Sequence, residues 1–278
     1  MADQRTYGSG LIRDVELLEV LARPEAAAGL GVSRIAELAG RDKAQVSRAL
    51  ATLADAGLVS RDEDTKAYRP GWRLFALATN SMESQLAHVS GPYLRKVVAG
   101  LNETTHLCVL RGSHVLTLHS ELATHAFRGI GWEGTSVDPY NTSAGRALMS
   151  EWDREAITRW WDQFPPERST PPRATAIPVG VESVPAPMTL ELFLERVSDV
   201  RKYGYASVDE EFEAGLVGVS APVYGFRGDI VAAFNVSAPK QRLGAHLRAA
   251  GEFTRSIADQ LSLTLGAPMR KRGEFKPA

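Results

Sequence analysis

Lys43, Gln45, Ser47 and Arg48 crowd one short stretch of the chain, interleaved with Val46, Ala49, Leu50 and Leu53 at helical spacing. These polar side chains are the ones that the apolar stripe leaves free. Their types suit the edges of base pairs: glutamine pairs bidentately with adenine, arginine or lysine with guanine. Any one of them alone would also fit a solvated helix face. A second group, His106, His114, His119 and His125 around Cys108, has the residue types of a Cys/His nucleophile or a metal site. Its spacings match no metal signature, and alternation along a strand is expected to send neighbouring side chains to opposite faces. No metal, no cofactor and no catalysis are therefore expected. A third group comprises Ser143, Ala144 and Gly145, small residues opening a helix whose amides could meet an anion such as a carboxylate. Asn235 and Ser237 form a fourth, polar interruptions of an apolar strand of the kind that orients a ligand in an apolar pocket. Tight helix packing for the one and a solvent face for the other would leave the same trace.

The elements around the first group form an ordered set. Leu11, Val15, Leu18 and Leu21 mark one face of a helix, ended by Pro24 and Gly29–Gly31. Ser33 reads as the N-cap of a short helix through Ala39 that stops at Gly40, and a serine there suits a phosphate. Asp42 opens the next helix, with Gln45 completing a capping-box-like pattern. Gly57 closes it. Leu58–Ser60 and Tyr68–Arg69 read as two short strands around a charged turn, Arg61 to Lys66. Helix, short helix, turn, helix and hairpin make a winged helix-turn-helix, whose second motif helix enters the major groove. Lys66 and Arg69 on the wing and Arg5 on the N-terminal arm would reach backbone or minor groove. This order makes double-stranded DNA the expected partner.

A connecting helix is expected from about Arg73 to Ala87. A second starts near Gly91-Pro92, with proline early in the helix, and runs through Leu101. Strand-like runs follow at 105–110 and 114–118, turned by Gly112-Ser113, with an extended stretch near Phe127–Trp132. A long loop, Gln163–Pro187, precedes a helix ending at Gly204. Strands near 205–208, 217–224 and 230–236 and a last helix over about 243–265 complete the chain. The fold class is α+β: an N-terminal winged helix-turn-helix over residues 1–72, a linker helix over 73–88, and an antiparallel sheet flanked by helices over 89–278.

With 278 residues, 44% of them hydrophobic, the chain has enough apolar surface for two ordinary cores. One cysteine excludes an intrachain disulfide and fits a reducing cytoplasm. The opening MADQRTYGSG lacks the apolar run of a signal peptide, and no stretch is long enough to span a bilayer, so no membrane partner is expected. The net charge of −1 excludes a uniformly basic nucleic-acid coat, while leaving room for a local basic face.

Across nearly its whole length the chain resembles the IclR family of bacterial transcriptional regulators. The resemblance is carried by "SRIAELAGRDKAQVSRALATLADAGLVSRDEDTKAYRPG", by "DPYNTSAGRALMS" and, most specifically, by "RKYGYASVDEEFEAGLVGVSAPVYGFRGDIVAAFNVSAP". It implies a GAF-like effector domain, a homodimer that can pair into a tetramer, and a palindromic operator. It also implies a small organic effector, often a carboxylate or an aromatic. The effector pocket would then use Ser143, Ala144 and Gly145, with Asp209, Pro222, Asn235 and Ser237. Phe127 and Trp132 lie on a stretch that lines the pocket in the family.

Overall fold

The computed structural model describes residues 10–79, 81–126, 128–129, 132–166 and 188–268. The chain divides into two compact units, Met1–Gln85 and Leu86–Ala278.

In the first unit, helices α1 (Gly10–Leu21), α2 (Val32–Ala39) and α3 (Lys43–Asp55) precede a two-stranded antiparallel hairpin, β1 (Val59–Arg61) and β2 (Tyr68–Pro70). Leu17, Ile35, Val46 and Leu50 are fully buried at its centre. The stripe of α1 differs from expectation. Leu17, Val20 and Leu21 are its buried residues, whereas Leu11 and Val15 are exposed. Only the C-terminal half of α1 seals the α2–α3 pair, and there positions 17, 20 and 21 make the inward i, i+3, i+4 set. Ser33 is not the cap of α2 either. Gly31 holds the N-cap position in extended backbone, which leaves Ser33 exposed in the first helical turn. Asp42 caps α3 as its sequence demands, accepting from the amides of Ala44 and Gln45, both at 3.0 Å.

Helix α4 (Trp72–Ala78) is short and buries none of its side chains. Helix α5 (Met82–Leu101) then runs unbroken past Pro92. The break expected at Gly91-Pro92 thus falls ten residues earlier, where the Ser81 hydroxyl accepts from the Ser84 amide at 3.1 Å and caps the helix. An internal proline withholds a single N–H, and 20 residues of helix around it tolerate that.

The second unit is built on a six-stranded antiparallel sheet of order β5-β4-β3-β8-β7-β6. Its strands are β3 (Thr105–Arg111), β4 (His114–Glu121), β5 (Ser136–Val137), β6 (Ala206–Asp209), β7 (Leu216–Tyr224) and β8 (Ile230–Pro239). The remaining helices are α6 (Ser143–Leu148), α7 (Arg154–Gln163), α8 (Leu190–Tyr203), α9 (Lys240–Leu243) and α10 (Leu247–Thr264). Alternation along the strands divides the core in two. Val217, Val219, Ala221 and Val223 of β7 pack with Leu94 and Val97 of α5 and Ile257 and Leu261 of α10. On the opposite face, Cys108 and Ala233 pack with Ala144, Ala147 and Leu148 of α6 and Val200 of α8. An α+β body with helices on both faces of an antiparallel sheet results.

Three local expectations change here. The stretch ending at Trp132 contributes no strand among its described residues: a turn at Trp132–Gly134 leads into β5 instead, and Phe127 lies outside the described residues. Helix α7 was not anticipated. Asp153 caps it, accepting from Ala156 N at 2.7 Å, and Ile157 and Trp160 bury its inner face. Of the proline-rich loop, residues 167–187 lie outside the described residues. The last helix is divided, a short 3-10 turn at Gly244–His246 separating α9 from α10.

Candidate functional site

Helix α3 turns Val46, Leu50 and Leu53 inward, which leaves Lys43, Gln45, Ser47 and Arg48 exposed near its N-terminal end. The four thus share one solvent-facing surface of the first unit. Arg69 is exposed on β2, but its guanidinium reaches back to the Ala28 carbonyl through Nε (3.3 Å) and Nη2 (2.8 Å). Part of its donor fork therefore holds the hairpin to the loop before α2, and the rest faces outward.

In the second unit, a cavity of about 60 Å³ lies between α6 and the sheet. Val115, Val137, Val208, Trp132 and Phe212 supply apolar wall. Its polar side is one connected cluster. Asn235 Nδ2 donates to Ser143 Oγ (3.1 Å) and to Ser220 Oγ (2.9 Å), the two serine hydroxyls lie 2.8 Å apart, and Ser237 Oγ donates to Asn235 Oδ1 at 2.9 Å. Ser143 and Ser220 are 1% and 0% exposed, so the serine pair is desolvated, while Asn235 and Ser237 are half-buried. Such a buried network is tolerable because its members satisfy one another.

Of the residues anticipated for a pocket, Trp132, Ser143, Ala144, Asn235 and Ser237 line this cavity, and Gly145, Asp209 and Pro222 do not. Gly145 donates its amide to the Thr142 hydroxyl at 3.0 Å, and a side chain there would strike the Pro139 backbone. Close packing, not an open amide, fixes that glycine. Asp209 follows the parity of β6, on which Ala206 and Val208 are buried while Ser207 and Asp209 are exposed. It meets Lys240 Nζ at 2.9 Å. Pro222 shares the face of Gly218 and Ser220. At ~3.3 Å per residue, however, it stands ~13 Å along β7 from Gly218, past the cavity.

His106, Cys108, Thr117, Ser220 and Phe212 also belong to this region, though sequence reasoning did not assign them to a pocket. Ser220 interrupts the apolar run of β7 as Asn235 interrupts β8, and the same signal could have found it. His106 and Cys108 are two apart on β3 and face the cavity together, as alternation along a strand requires. Thr117 joins them through a β-bulge: the register shifts between Leu107 and Cys108, so that His106 pairs with Ser120 but Cys108 with Thr117. Burial pushes the Cys108 thiol up to about 12 and the His106 imidazole down to about 4. Both are neutral near pH 7, and His106 Nδ1 is engaged with Ser120 Oγ at 2.8 Å. A protonated thiol beside a neutral imidazole is not an activated nucleophile. The other histidines are dispersed. His119 meets Glu133 at 3.0 Å, and His114 and His125 lie 3.7 and 3.8 Å from Asp138 and Glu103. Among the described residues no cluster is arranged to hold a metal, and no helix is long and apolar enough to cross a membrane.

Behind α6, Arg146 is 1% exposed. Its Nη1 donates to Glu211 Oε1 (3.1 Å) and to the Ser207 carbonyl (3.0 Å), and its Nη2 to Glu211 Oε2. This ion pair ties α6 to β6 and to the loop that carries Phe212 into the cavity wall.

Known proteins share this architecture. The family model described as bacterial transcriptional regulator IclR C-terminal matches residues 79–263, and a second, described as HVO_A0114, matches 12–73. The chain is 28% identical to the HTH-type transcriptional regulator BhcR of Paracoccus denitrificans, over 95% of this chain and 89% of the relative. It is 30% identical to the HTH-type transcriptional regulator Rv1719 of Mycobacterium tuberculosis, over 86% of each. An IclR homolog from Microbacterium hydrocarbonoxydans, solved in complex with 4-hydroxybenzoate, superposes with a TM-score of 0.74 at 23% identity, covering 92% of this chain and 99% of that one. Thermotoga maritima IclR superposes with a TM-score of 0.67 at 20% identity, covering 92% and 98%. The family match spans well over half of the sequence and the fold agrees along the rest: the chain belongs to the IclR family of transcriptional regulators.

Proposed function

We propose that α3 reads operator DNA through Lys43, Gln45, Ser47 and Arg48, and that the cavity beneath α6 binds a small organic carboxylate, of one ring at most, that changes operator affinity. The observation that carries the reading is the connected Asn235–Ser143–Ser220–Ser237 cluster on one side of an otherwise apolar cavity. It offers neutral hydroxyl and amide groups to a ligand's polar end and apolar wall to the remainder. The 4-hydroxybenzoate held by a structural neighbour supports the same ligand class. A cavity of about 60 Å³ accepts a small acid directly. An apolar cavity of about 150 Å³ holds benzene, so a ring is expected to move the Trp132–Phe212 wall outward. Ser33 and the outward part of Arg69 would contact phosphates, which set register without reading sequence.

A homodimer on a palindromic site fits the first unit. Leu11, Ile12 and Val15 of α1 and Trp72, Phe75 and Leu77 of α4 are exposed apolar side chains, which a partner subunit would cover. Effector binding favours one conformation of the second unit, and coupling to DNA of ~1–3 kcal/mol changes operator affinity roughly 5- to 150-fold. The test is fluorescence anisotropy on a duplex selected from a random pool, with and without benzoate or 4-hydroxybenzoate. An affinity change in that range, abolished by Asn235→Leu, is expected. If small carboxylates and aromatic acids alter neither operator affinity nor melting temperature, the sensing role is wrong and the second unit serves assembly alone.

A further inference from the structure

A larger cavity, of about 660 Å³, opens on the second unit between the end of α8, β6 and α10. It is chemically unlike the one beneath α6. Five cations line it: Arg146, Arg196, Lys202, Arg248 and Arg255. Against them stand the carboxylates of Asp199 and Glu252. Even with Glu211, the partner of Arg146, added to the count, cations remain in excess by two.

Two of these arginines carry an unanswered donor. Arg146 Nε and Arg255 Nε are buried and have no hydrogen-bond partner. Leaving a buried donor unpaired is costly, and a charged one more so. Each guanidinium is held through another nitrogen: Arg255 Nη1 donates to the Tyr203 carbonyl at 2.9 Å, and both Nη atoms of Arg146 are engaged by Glu211 and Ser207. Both guanidinium groups are thus fixed in place with capacity to spare. The backbone makes room for them. Gly204 ends α8 at φ 79°, and a side chain there would displace the stem of Arg255. Gly251 likewise leaves space for the ring of Tyr205. Tyr203 and Tyr205, with centroids 6.4 Å apart, add aromatic surface to the same wall.

Arginine forks suit phosphate oxygens, aromatic faces suit a ring, and the volume lies within the range of small-molecule sites. We propose that this cavity is a second ligand site, separate from the one beneath α6, for an organic phosphate of the ring-bearing sugar-phosphate or nucleotide class. Arg146 and Arg255 form its base, and Arg196 and Lys202 its rim.

The experiment is titration calorimetry of the full chain with AMP, ribose 5-phosphate, inorganic phosphate and adenosine. One AMP per chain is expected to bind, more tightly than inorganic phosphate and in a salt-dependent way, with adenosine giving no heat. Arg196 and Lys202 are exposed, so the double variant Arg196→Glu/Lys202→Glu should fold normally. It is expected to weaken AMP by about tenfold or more, as loss of charged contacts predicts. Asn235→Leu is expected to leave AMP binding unchanged. Absence of binding by every phosphate at millimolar concentration overturns the proposal, as does AMP binding that survives the double charge reversal. Adenosine binding as tightly as AMP refutes the phosphate assignment. If the double variant changes the mass of the assembly in sedimentation while no phosphate binds, the cavity is a contact between subunits and the proposal is wrong.

Discussion

On α3 the side chains available to a partner stand in solvent, and their positions are set by the helix that carries them; Asp42 and Val46 alone nearly determine where Gln45 and Arg48 point. In the cavity beneath α6 the two serines at the centre of the polar cluster are buried, and the cluster joins residues far apart in sequence: Ser143 meets Ser220 across 77 positions and Asn235 across 92. A surface that meets a long, regular ligand can be written locally. An enclosed site for a small ligand needs walls from several elements, and so depends on tertiary packing for its existence.

This contrast can be broken by substitution. The largest effect is expected on stability in the second unit. Arg146→Met leaves Glu211 without its partner and should cost about 3 kcal/mol in urea unfolding of that unit; a loss near zero would mean that the buried ion pair does not organise the wall. Next comes acid. His106 is neutral when folded and titrates at about 4 instead of 6.5 when exposed. The unfolded chain therefore holds the extra proton between these values, and stability is lost as pH falls from 6.5 towards 4, by about 3 kcal/mol at the lower end. His106→Gln should flatten that part of the pH profile, and an unchanged slope would point to another group. On the first unit, Gln45→Ala with Arg48→Ala should weaken binding to the selected operator by about 2–3 kcal/mol, roughly 30- to 150-fold. The melting temperature should not move, because both side chains are exposed; a protein that still discriminates operator from random DNA would remove α3 as the reading element. The smallest effect is that of Asp42→Ala, about 1 kcal/mol from the lost cap, seen in thermal unfolding of the first unit.

The same contrast explains what could be read in advance. The α2–turn–α3–hairpin order, the Asp42 cap and the stop of α8 at Gly204 are local signals, and each lies where its residues indicate. Asn235 and Ser237 were visible as polar breaks in an apolar strand. Asp209 and Glu211 were not separable by type; the parity of β6 sends Asp209 outward to Lys240, and the bend after the strand, with Glu210 at φ 58°, turns Glu211 in to Arg146. The tether between Arg69 and the Ala28 carbonyl, 41 residues apart, has no local trace, and neither does the crowding of Gly145 by Pro139 in space. Helix α5 shows the converse: a local signal, Gly91-Pro92, was outweighed by the continuity of the helix around it.

The bulge between β3 and β4 has one more consequence. Because β4 carries one residue more than β3 between the His106–Ser120 and Cys108–Thr117 pairs, the ladder on either side of it keeps its own facing. In an unshifted ladder Leu118 would stand opposite Cys108, and an apolar side chain would take the place that the Thr117 hydroxyl now holds in the cavity wall.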